Sequence, residues 1–467
     1  MRIAVCLCVL ILFSAPAMLQ SQHTGIPSPE YADSLFAAGQ HDQALIAYNR
    51  LLEIESDNYL YLFRAGLLHA WTGRYVRAEE LLSELFAQNP ADLDVGTTLI
   101  RVISWQNRFE EALNMTETLL SQSPFNENLR ALQVQLTFWN GQPGKANRMA
   151  DALLQDFPNN TTATQVKASI RQSMQPLSIT SYARPWDVDN TRIHSLTQFV
   201  QSGIRPGTFL HVRAAYSLAE NTFTTQDARV WQTSLGVRQQ LQAHWWLRAE
   251  LGVSGNDEQT LGFAPATSVQ FIRGEVAATL ALARYPITDT PLLISQALYL
   301  TESTLVGNYA TGPHEINGRI ITGWLSDSNR RFLLSGSYAW QTRLGNMTYT
   351  PGFVGEYRSF SAAGAGYFAP EWQYWTSVRQ QVRYDENAPF FGELTLDTGL
   401  QQFKTHDLEA DDPSSKLEIN ILAGYRPAPG WELELSYTYT NVAGLSTQNV
   451  AGDYWGQVIR ARVQIQF

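Results

Sequence analysis

Trp245-Trp246-Leu247-Arg248-Ala249-Glu250-Leu251-Gly252-Val253-Ser254 is the stretch that decides the fold. Side chains alternate along a strand, so Trp245, Leu247, Ala249, Leu251 and Val253 share one face while Trp246, Arg248, Glu250, Gly252 and Ser254 share the other. One face suits hydrocarbon, the other water. The same division recurs at Trp431, Leu433, Leu435, Tyr437 and Tyr439 against Glu432, Glu434, Ser436 and Thr438, and at Leu417, Ile419, Ile421, Ala423 and Tyr425 against Glu418, Asn420 and Gly424. At the carboxyl end, Phe467, Ile465, Val463, Ala461 and Ile459 oppose Gln466, Gln464, Arg462 and Arg460.

A soluble sandwich also alternates, and three further features separate a membrane barrel from it. Tight turns (Arg205-Pro206-Gly207, Gln242-Ala243-His244, Asp385 to Pro389, Arg426 to Gly430) alternate with long polar loops (Ala219 to Ala228, Gly255 to Pro265, Lys404 to Ser415, Asn441 to Tyr454), the short-turn, long-loop rhythm of transmembrane barrels. Aromatic residues gather at strand ends, among them Tyr216, Trp231, Trp245, Trp372, Trp431, Tyr439 and Trp455, as in rings at headgroup depth. The last strand closes on Phe467, which resembles the signal read by the outer-membrane assembly machinery. Segments of about ten residues give about 16 antiparallel strands over 176–467; 14 is the alternative, because Thr301 to Gly318 parses poorly. An even count returns both barrel ends to one side.

Upstream the period changes. Gly39, Gly73, Asn107 and Gly141 form one column with a spacing of 34, and Ala44, Ala78, Ala112 and Ala146 a second. Leu51, Leu85, Leu119 and Leu153, then Trp71, Trp105 and Trp139, then Pro90, Pro124 and Pro158 complete five columns in register. The small residue makes the turn between two antiparallel helices, the Ala allows close approach, Leu and Trp fill the stacking core, and Pro ends the second helix. The pattern resembles the tetratricopeptide repeat. It predicts an α-solenoid of about four repeats over residues 28–174, opened by the Ser28-Pro29-Glu30 cap and closed by a helix over Thr161 to Met174. The Trp column reads as core rather than as a ligand platform. The groove of such a solenoid binds a peptide, a polymer or a partner protein, or else the solenoid only spaces and orients the barrel.

The chain has 467 residues, 12% aromatic and 16% charged, enough for two domains. Met1 and Arg2, the apolar run Ala4 to Phe13 and Ala15-Pro16-Ala17 read as a cleaved signal peptide over residues 1–17. No apolar run reaches the roughly 20 residues a helical span needs, so any crossing is by strands. The expected location is the outer membrane, in contact with its lipid, with the repeats in the periplasm. Cys6 and Cys8 both fall in the signal, which leaves no thiol chemistry. A net charge of −10 without a Lys/Arg run excludes nucleic acid as a partner.

The lumen face is predicted to carry Arg213, Arg238, Arg248, Arg379, Arg383, Arg460 and Arg462 with Glu250, Glu393, Asp397, Glu418, Glu432 and Glu434, and the rings of Trp246 and Trp375. Trp246, Arg248, Glu250, Trp375, Arg379, Arg383, Glu393 and Asp397 are the candidate contacts for a sliding glycan, which needs hydrogen-bonding groups and stacking surfaces without a deep trap. The alternative is a set of salt bridges that stiffens the wall.

The order of signal, repeats and carboxyl-terminal barrel resembles the outer-membrane exporters of cellulose and poly-N-acetylglucosamine. Ala70-Trp71-Thr72-Gly73-Arg74-Tyr75 and Phe138-Trp139-Asn140-Gly141 resemble the Trp-x-Gly repeats that precede YaiO-type barrels, and Gly366-Tyr367-Phe368-Ala369-Pro370-Glu371 is similar to a stretch in the barrel of the cellulose exporter. The resemblance implies exopolysaccharide export. Four repeats are far fewer than in the cellulose exporter, so a reach across the periplasm to a synthase is not implied. An interaction scaffold anchored by its barrel and a passive porin are the alternatives.

No enzyme is expected. There is no Gly-x-Ser-x-Gly, no His-Glu-x-x-His and no phosphate loop. His211 and His244 read as ordinary lumen or turn residues. Asp187-Val188-Asp189-Asn190 and the acidic run Asp407, Glu409, Asp411 and Asp412 lack the Gly and the twelfth-position Glu of a calcium loop and read as solvated charge, so neither metal nor cofactor is expected.

Overall fold

A computed structural model describes residues 27–467 except 259, 385–387, 411 and 444–453. The predicted signal peptide with Cys6 and Cys8 lies outside the described residues, as does the Asp385 end of one predicted turn. The chain divides into two compact units at Gln122/Ser123.

The first unit holds α1 (Pro29–Ala37), α2 (His41–Leu52), α3 (Tyr59–Trp71), α4 (Tyr75–Gln88), α5 (Leu93–Trp105) and α6 (Phe109–Gln122). Ser28 caps α1 by accepting a hydrogen bond from the Tyr31 N–H at 3.2 Å, so an orphan donor at the helix start is satisfied. The turns inside each pair need the left-handed backbone, and Gly39, Gly73 and Asn107 have φ of 70°, 77° and 61°. Ala44, Ala78 and Ala112 are wholly buried where paired helices meet, with Leu51, Leu85 and Leu119 beside them. A sixth column, unread in the sequence, is the amino-terminal cap of the first helix of each pair. Asn58 and Asp92 here, and Asn126 and Asn160 in the other unit, each accept backbone N–H bonds at that place.

One expectation is corrected. Trp71, Trp105 and Trp139 are 48%, 41% and 43% exposed, not core. Each is the last residue of its helix, beside the turn, where only one side of the indole has protein to pack on.

The second unit holds α7 (Glu127–Trp139), α8 (Pro143–Asp156) and α9 (Thr161–Ser173), then the sheet. Its strands run β1 (Leu177–Asp187), β2 (Thr191–Arg205), β3 (Thr208–Asn221), β4 (Gln226–Gln242), β5 (Trp245–Asn256), β6 (Leu261–Phe263), β7 (Ala266–Arg273), β8 (Val276–Pro286) and β9 (Tyr299–Thr311). They continue as β10 (His314–Leu325), β11 (Arg330–Trp340), β12 (Thr342–Leu344), β13 (Met347–Phe360), β14 (Trp372–Tyr384), β15 (Phe390–Lys404), β16 (Ser414–Tyr425), β17 (Trp431–Thr440) and β18 (Gly456–Gln466). A short helix, α10 (Pro291–Ser295), lies between β8 and β9. Among the described residues β6 and β12 are three-residue pieces, which leaves sixteen full strands.

Every pairing is antiparallel and β1 pairs with β18, Leu177 opposite Gln466 and Asp187 opposite Gly456, so the sheet closes without a free edge. The segment that parsed poorly is two ordinary strands joined at Gly312-Pro313. The predicted loop Ala219 to Ala228 shortens to residues 222–225, because β3 and β4 run further than their apolar pattern. Leu235, Leu251, Leu280, Phe353, Leu394 and Leu435 stand exposed on the outer face, an apolar belt that only lipid would cover. This is the fold of an outer-membrane β-barrel.

The rim where the chain enters and leaves carries the short turns, and the last helices seat on it. The Gly203 N–H donates to Met174 O at 3.1 Å, and the Phe467 N–H donates to Pro176 O at 3.0 Å. Gln240 Nε2 donates to Gly141 O and Gln466 Nε2 to Gln172 O. Ala131, Val134, Ala146, Ala150, Leu153, Ala163, Val166 and Ile170 form the core of this helical cap.

Candidate functional site

The inner wall carries two polar clusters, and each is organised around a glycine. On β3, β4 and β5 the register sets His211 opposite Gly236 and Gly236 opposite Glu250. A Cβ on Gly236 would fall 2.3 Å from His211 Nε2 and 2.6 Å from Glu250 Cγ. The bare middle residue lets its two neighbours meet, and His211 Nε2 lies 3.1 Å from Glu250 Oε1. Ser234 Oγ donates to Glu250 Oε2 at 3.0 Å, and the Arg248 guanidinium pairs with the same carboxylate. Trp246 sits two residues from Arg248 on that face, with the Arg238 guanidinium 4.2 Å from its ring centre. Trp246, Arg248 and Glu250 are therefore brought together.

The second cluster lies on β14, β15 and β16. Arg379 pairs with Asp397 in the register, and its Nε and Nη2 donate to the two carboxylate oxygens at 2.8 and 2.7 Å. Such a fork-to-fork pair fixes geometry as well as charge. Gly399 separates Ser377 from Lys416, and a Cβ there would strike Thr376 O at 1.8 Å. Lys416, fully buried, reaches 3.4 Å from Asp397 Oδ2 and 3.4 Å from Glu418 Oε2, with its ammonium 4.1 Å from the Trp375 ring centre. Arg383 and Glu393 approach to 4.0 Å nearer the entry rim.

Sequence reading missed His211 as part of the first cluster and Lys416 as the hub of the second. His211 looked isolated because its partner stands two strands away. Lys416 alternates with Glu418 on one face, the signal that was present, but it adjoins a predicted loop. The inner wall also bears Arg331 with Glu302 at 2.5 Å, Arg358 with Glu356 at 2.6 Å and Arg462 with Glu434 at 3.0 Å. In these pairs the charge is compensated locally. Asp187 at the β1–β2 turn accepts the N–H groups of Asp189 and Thr191, both at 3.1 Å, so this carboxylate shapes the turn. No group of three or more metal-ligating side chains occurs among the described residues.

The far rim is crossed by protein. Thr290 caps α10 through the Leu293 N–H at 3.2 Å, and the helix projects two adjacent apolar side chains to different walls. Leu293 packs with Ile287, Leu298, Leu300, Leu325, Phe360, Tyr367 and Ala369. Ile294 packs with Ile193, Ala219, Ala228 and Val230 of β2, β3 and β4, and its carbonyl accepts from Asn256 Nδ2 at 2.8 Å. The Gly366 to Pro370 stretch backs this helix. Tyr367 Oη donates to Asp327 Oδ2 at 2.8 Å and accepts from Asn329 Nδ2 at 2.9 Å. Gly366 has φ of 87° and leaves room for Leu292, whose Cδ2 would lie 2.4 Å from a Cβ.

Comparison with known proteins agrees with this architecture. A family model described as tetratricopeptide repeat matches residues 72–136. Among solved structures the chain is similar to a bacterial polysaccharide outer membrane secretin, at 11% identity and a TM-score of 0.51, over 63% of this chain and 99% of that one. It also matches CdiB from Acinetobacter baumannii (8% identity, TM-score 0.41, 62% and 60% of the two chains) and a tetratricopeptide repeat protein from Parabacteroides merdae ATCC 43184 (18%, 0.29, 31% and 56%). No curated protein matches. At 11% identity the likeness to the secretin is one of fold alone.

Proposed function

We propose that this chain takes part in passing an exopolysaccharide across the outer membrane, with its repeats on the periplasmic side. The observation that carries the reading is the inner wall, where compensated ion pairs stand beside Trp246 and Trp375. A polymer must enter, slide and leave, so each contact has to be weak and repeated. Pairs such as Arg379 with Asp397 offer hydrogen-bonding edges without a net charge that would hold the solute. The even strand count and the short turns on the entry rim support this placement of the repeats. The reading assigns no catalytic step. It is supported by the fold likeness to a bacterial polysaccharide outer membrane secretin, and by a repeat and barrel order that resembles that of the cellulose and poly-N-acetylglucosamine exporters.

The α10 plug favours a second reading, a barrel that anchors a periplasmic interaction scaffold. Planar-bilayer recording separates the two. An exporter shows openings that β-linked oligosaccharides block in a concentration-dependent way, while an anchor shows neither openings nor block. Wild-type levels of labelled exopolysaccharide from a deletion strain would refute export.

A further inference from the structure

We infer that the inner wall formed by β3, β4 and β5 is an anion site that takes the carboxylates of an acidic polysaccharide, a polymer of uronate type. This rests on the export reading, which it deepens by naming the charge of the polymer.

The strand register sets this wall apart. Elsewhere an inward arginine faces a carboxylate on the next strand: Arg379 opposite Asp397, Arg383 opposite Glu393 and Arg462 opposite Glu434. Here the places opposite Arg213 hold Phe199 and Ser234, and those opposite Arg238 hold Phe209 and Arg248. Among the described residues neither Arg213 nor Arg238 has a carboxylate oxygen within 4.0 Å. Glu250 is already engaged by Arg248, His211 and Ser234. Three guanidinium groups therefore share one carboxylate. Like charges directly opposite one another on neighbouring strands repel, so an anion placed at Arg238 and Arg248 relieves a strain built into the pairing.

Aromatic rings stand where the missing carboxylates would be. The Arg238 guanidinium lies 4.2 Å from the centre of the Trp246 ring, and those of Arg213 and Arg248 lie 5.9 and 5.7 Å from the centre of Phe199. A ring face attracts a guanidinium without neutralising it. Arg213 is exposed and Arg238 and Arg248 are half-buried, on the face of the wall opposite the lipid-facing Val212 and Leu235. Their N–H groups are thus open to the lumen.

The surplus is not a by-product of a basic protein, since the chain carries 43 Asp and Glu against 33 Lys and Arg. It also stands near the entry. Gln240, the next inward residue after Arg238, donates to Gly141 O in the helical cap.

These features choose the occupant. A guanidinium offers a planar fork that matches a carboxylate, and the Trp246 indole offers a face to the sugar ring that carries it. A neutral glycan leaves the surplus unanswered, and a cationic one is repelled. The surplus is divided between Arg213 at Phe199 and Arg238 at Trp246, which suits acid groups spaced along a chain better than one small ion.

The test titrates the full chain in non-ionic micelles at low salt with the hexamer of α-1,4-linked galacturonate, with monomeric galacturonate and with neutral cellohexaose, read by calorimetry. The acidic hexamer is expected to bind at least about tenfold tighter than either other sugar, and to lose about tenfold when Arg213→Gln and Arg238→Gln are combined. Arg213→Lys with Arg238→Lys, which keeps the charge, should stay within about threefold, and Arg171→Gln with Arg343→Gln, exposed and outside the wall, within about twofold. Heat-modifiable electrophoretic mobility confirms that each variant is folded. Equal affinity for the acidic and neutral hexamers, an unchanged affinity in the paired wall variant, or an equal loss in the Arg171 and Arg343 variant overturns the site. Equal affinity for the monomer shows a site for free small anions only and overturns the polymer assignment. If the acidic hexamer binds as expected while a deletion strain secretes wild-type levels of exopolysaccharide, export fails and the site stands.

Discussion

The ammonium of Lys416 lies 4.1 Å from the centre of the Trp375 ring. It is held there by Asp397, which the Arg379 fork grips from the other side. Asp397 thus neutralises two cations in a wall where water is scarce. Asp397→Ala leaves the Arg379 fork without its carboxylate and Lys416 with Glu418 alone at 3.4 Å, and is expected to cost about 3–5 kcal/mol, whereas Lys416→Met retains the Arg379 pair and costs far less. The temperature at which the purified barrel loses its compact electrophoretic mobility checks the order of the two variants.

Gly236 supports a second prediction. Its Cβ would enter the space between His211 and Glu250, so Gly236→Ala should cost about 1–3 kcal/mol by overpacking. Gly274→Ala is a useful contrast, because nothing lies within 4 Å there and its φ of 55° makes the penalty one of backbone alone. Urea midpoints of the two variants in micelles test the difference.

Much of this architecture is legible in the sequence because it is periodic. A two-residue period fixes the faces of β5, β16, β17 and β18, and a 34-residue period fixes the turns at Gly73 and Asn107. What escapes is whatever depends on contacts between distant strands. His211 and Glu250 meet only because Gly236 is bare, and no window of sequence contains all three. The α10 plug escapes for a similar reason, since Leu293 and Ile294 are adjacent in the chain but pack on different walls. The exposure of Trp71 and Trp105 was misread because a repeat-locked residue was equated with a core residue, although a helix-terminal ring beside a turn has a partner on one side only.

The plug gives the third prediction. A sixteen-stranded barrel leaves an aqueous lumen unless loops fill it, and Leu293 and Ile294 hold the crossing loop to both walls. Replacing residues 289–296 by a short Gly-Ser linker should convert a silent or briefly opening barrel into one with large, steady openings in a planar bilayer. Unchanged traces would mean that another segment closes the lumen.

The repeats carry a pH dependence through two groups. Burial, then the charges of Arg74 and Arg77, hold the His69 imidazole below its ordinary value of 6.5. The unfolded chain binds that proton first, so stability is full above 6.5 and falls as pH drops through the lowered folded value. At Glu79 burial pushes the carboxyl upward, but the hydrogen bonds from Arg108 and Gln106 outweigh it and the net direction is down from 4.5. Its contribution is present above 4.5 and is lost as the pH falls through the folded value. Hydrogen exchange of the α3 and α4 amides in the full chain, corrected for intrinsic rates, should show protection falling in two steps below pH 6.5, with the first step absent in His69→Leu.

Gly73 and Gly141 occupy the same place in their repeats, with φ of 77° and 68°, yet they should not tolerate substitution equally. A Cβ on Gly73 meets nothing within 4 Å, so Gly73→Ala carries only the left-handed backbone penalty, about 1–2 kcal/mol. A Cβ on Gly141 would lie 2.5 Å from Ala243 O at the β4–β5 turn, and Gly141 O itself accepts from Gln240 Nε2. Gly141→Ala must therefore push the last helical pair away from the barrel rim as well as strain the turn. It should accelerate exchange in the α7 and α8 amides and at the Ala243 turn together, while Gly73→Ala accelerates only α3 and α4. Equal, local effects in the two variants would mean that the rim contact adds nothing to the hold of the last repeat on the barrel.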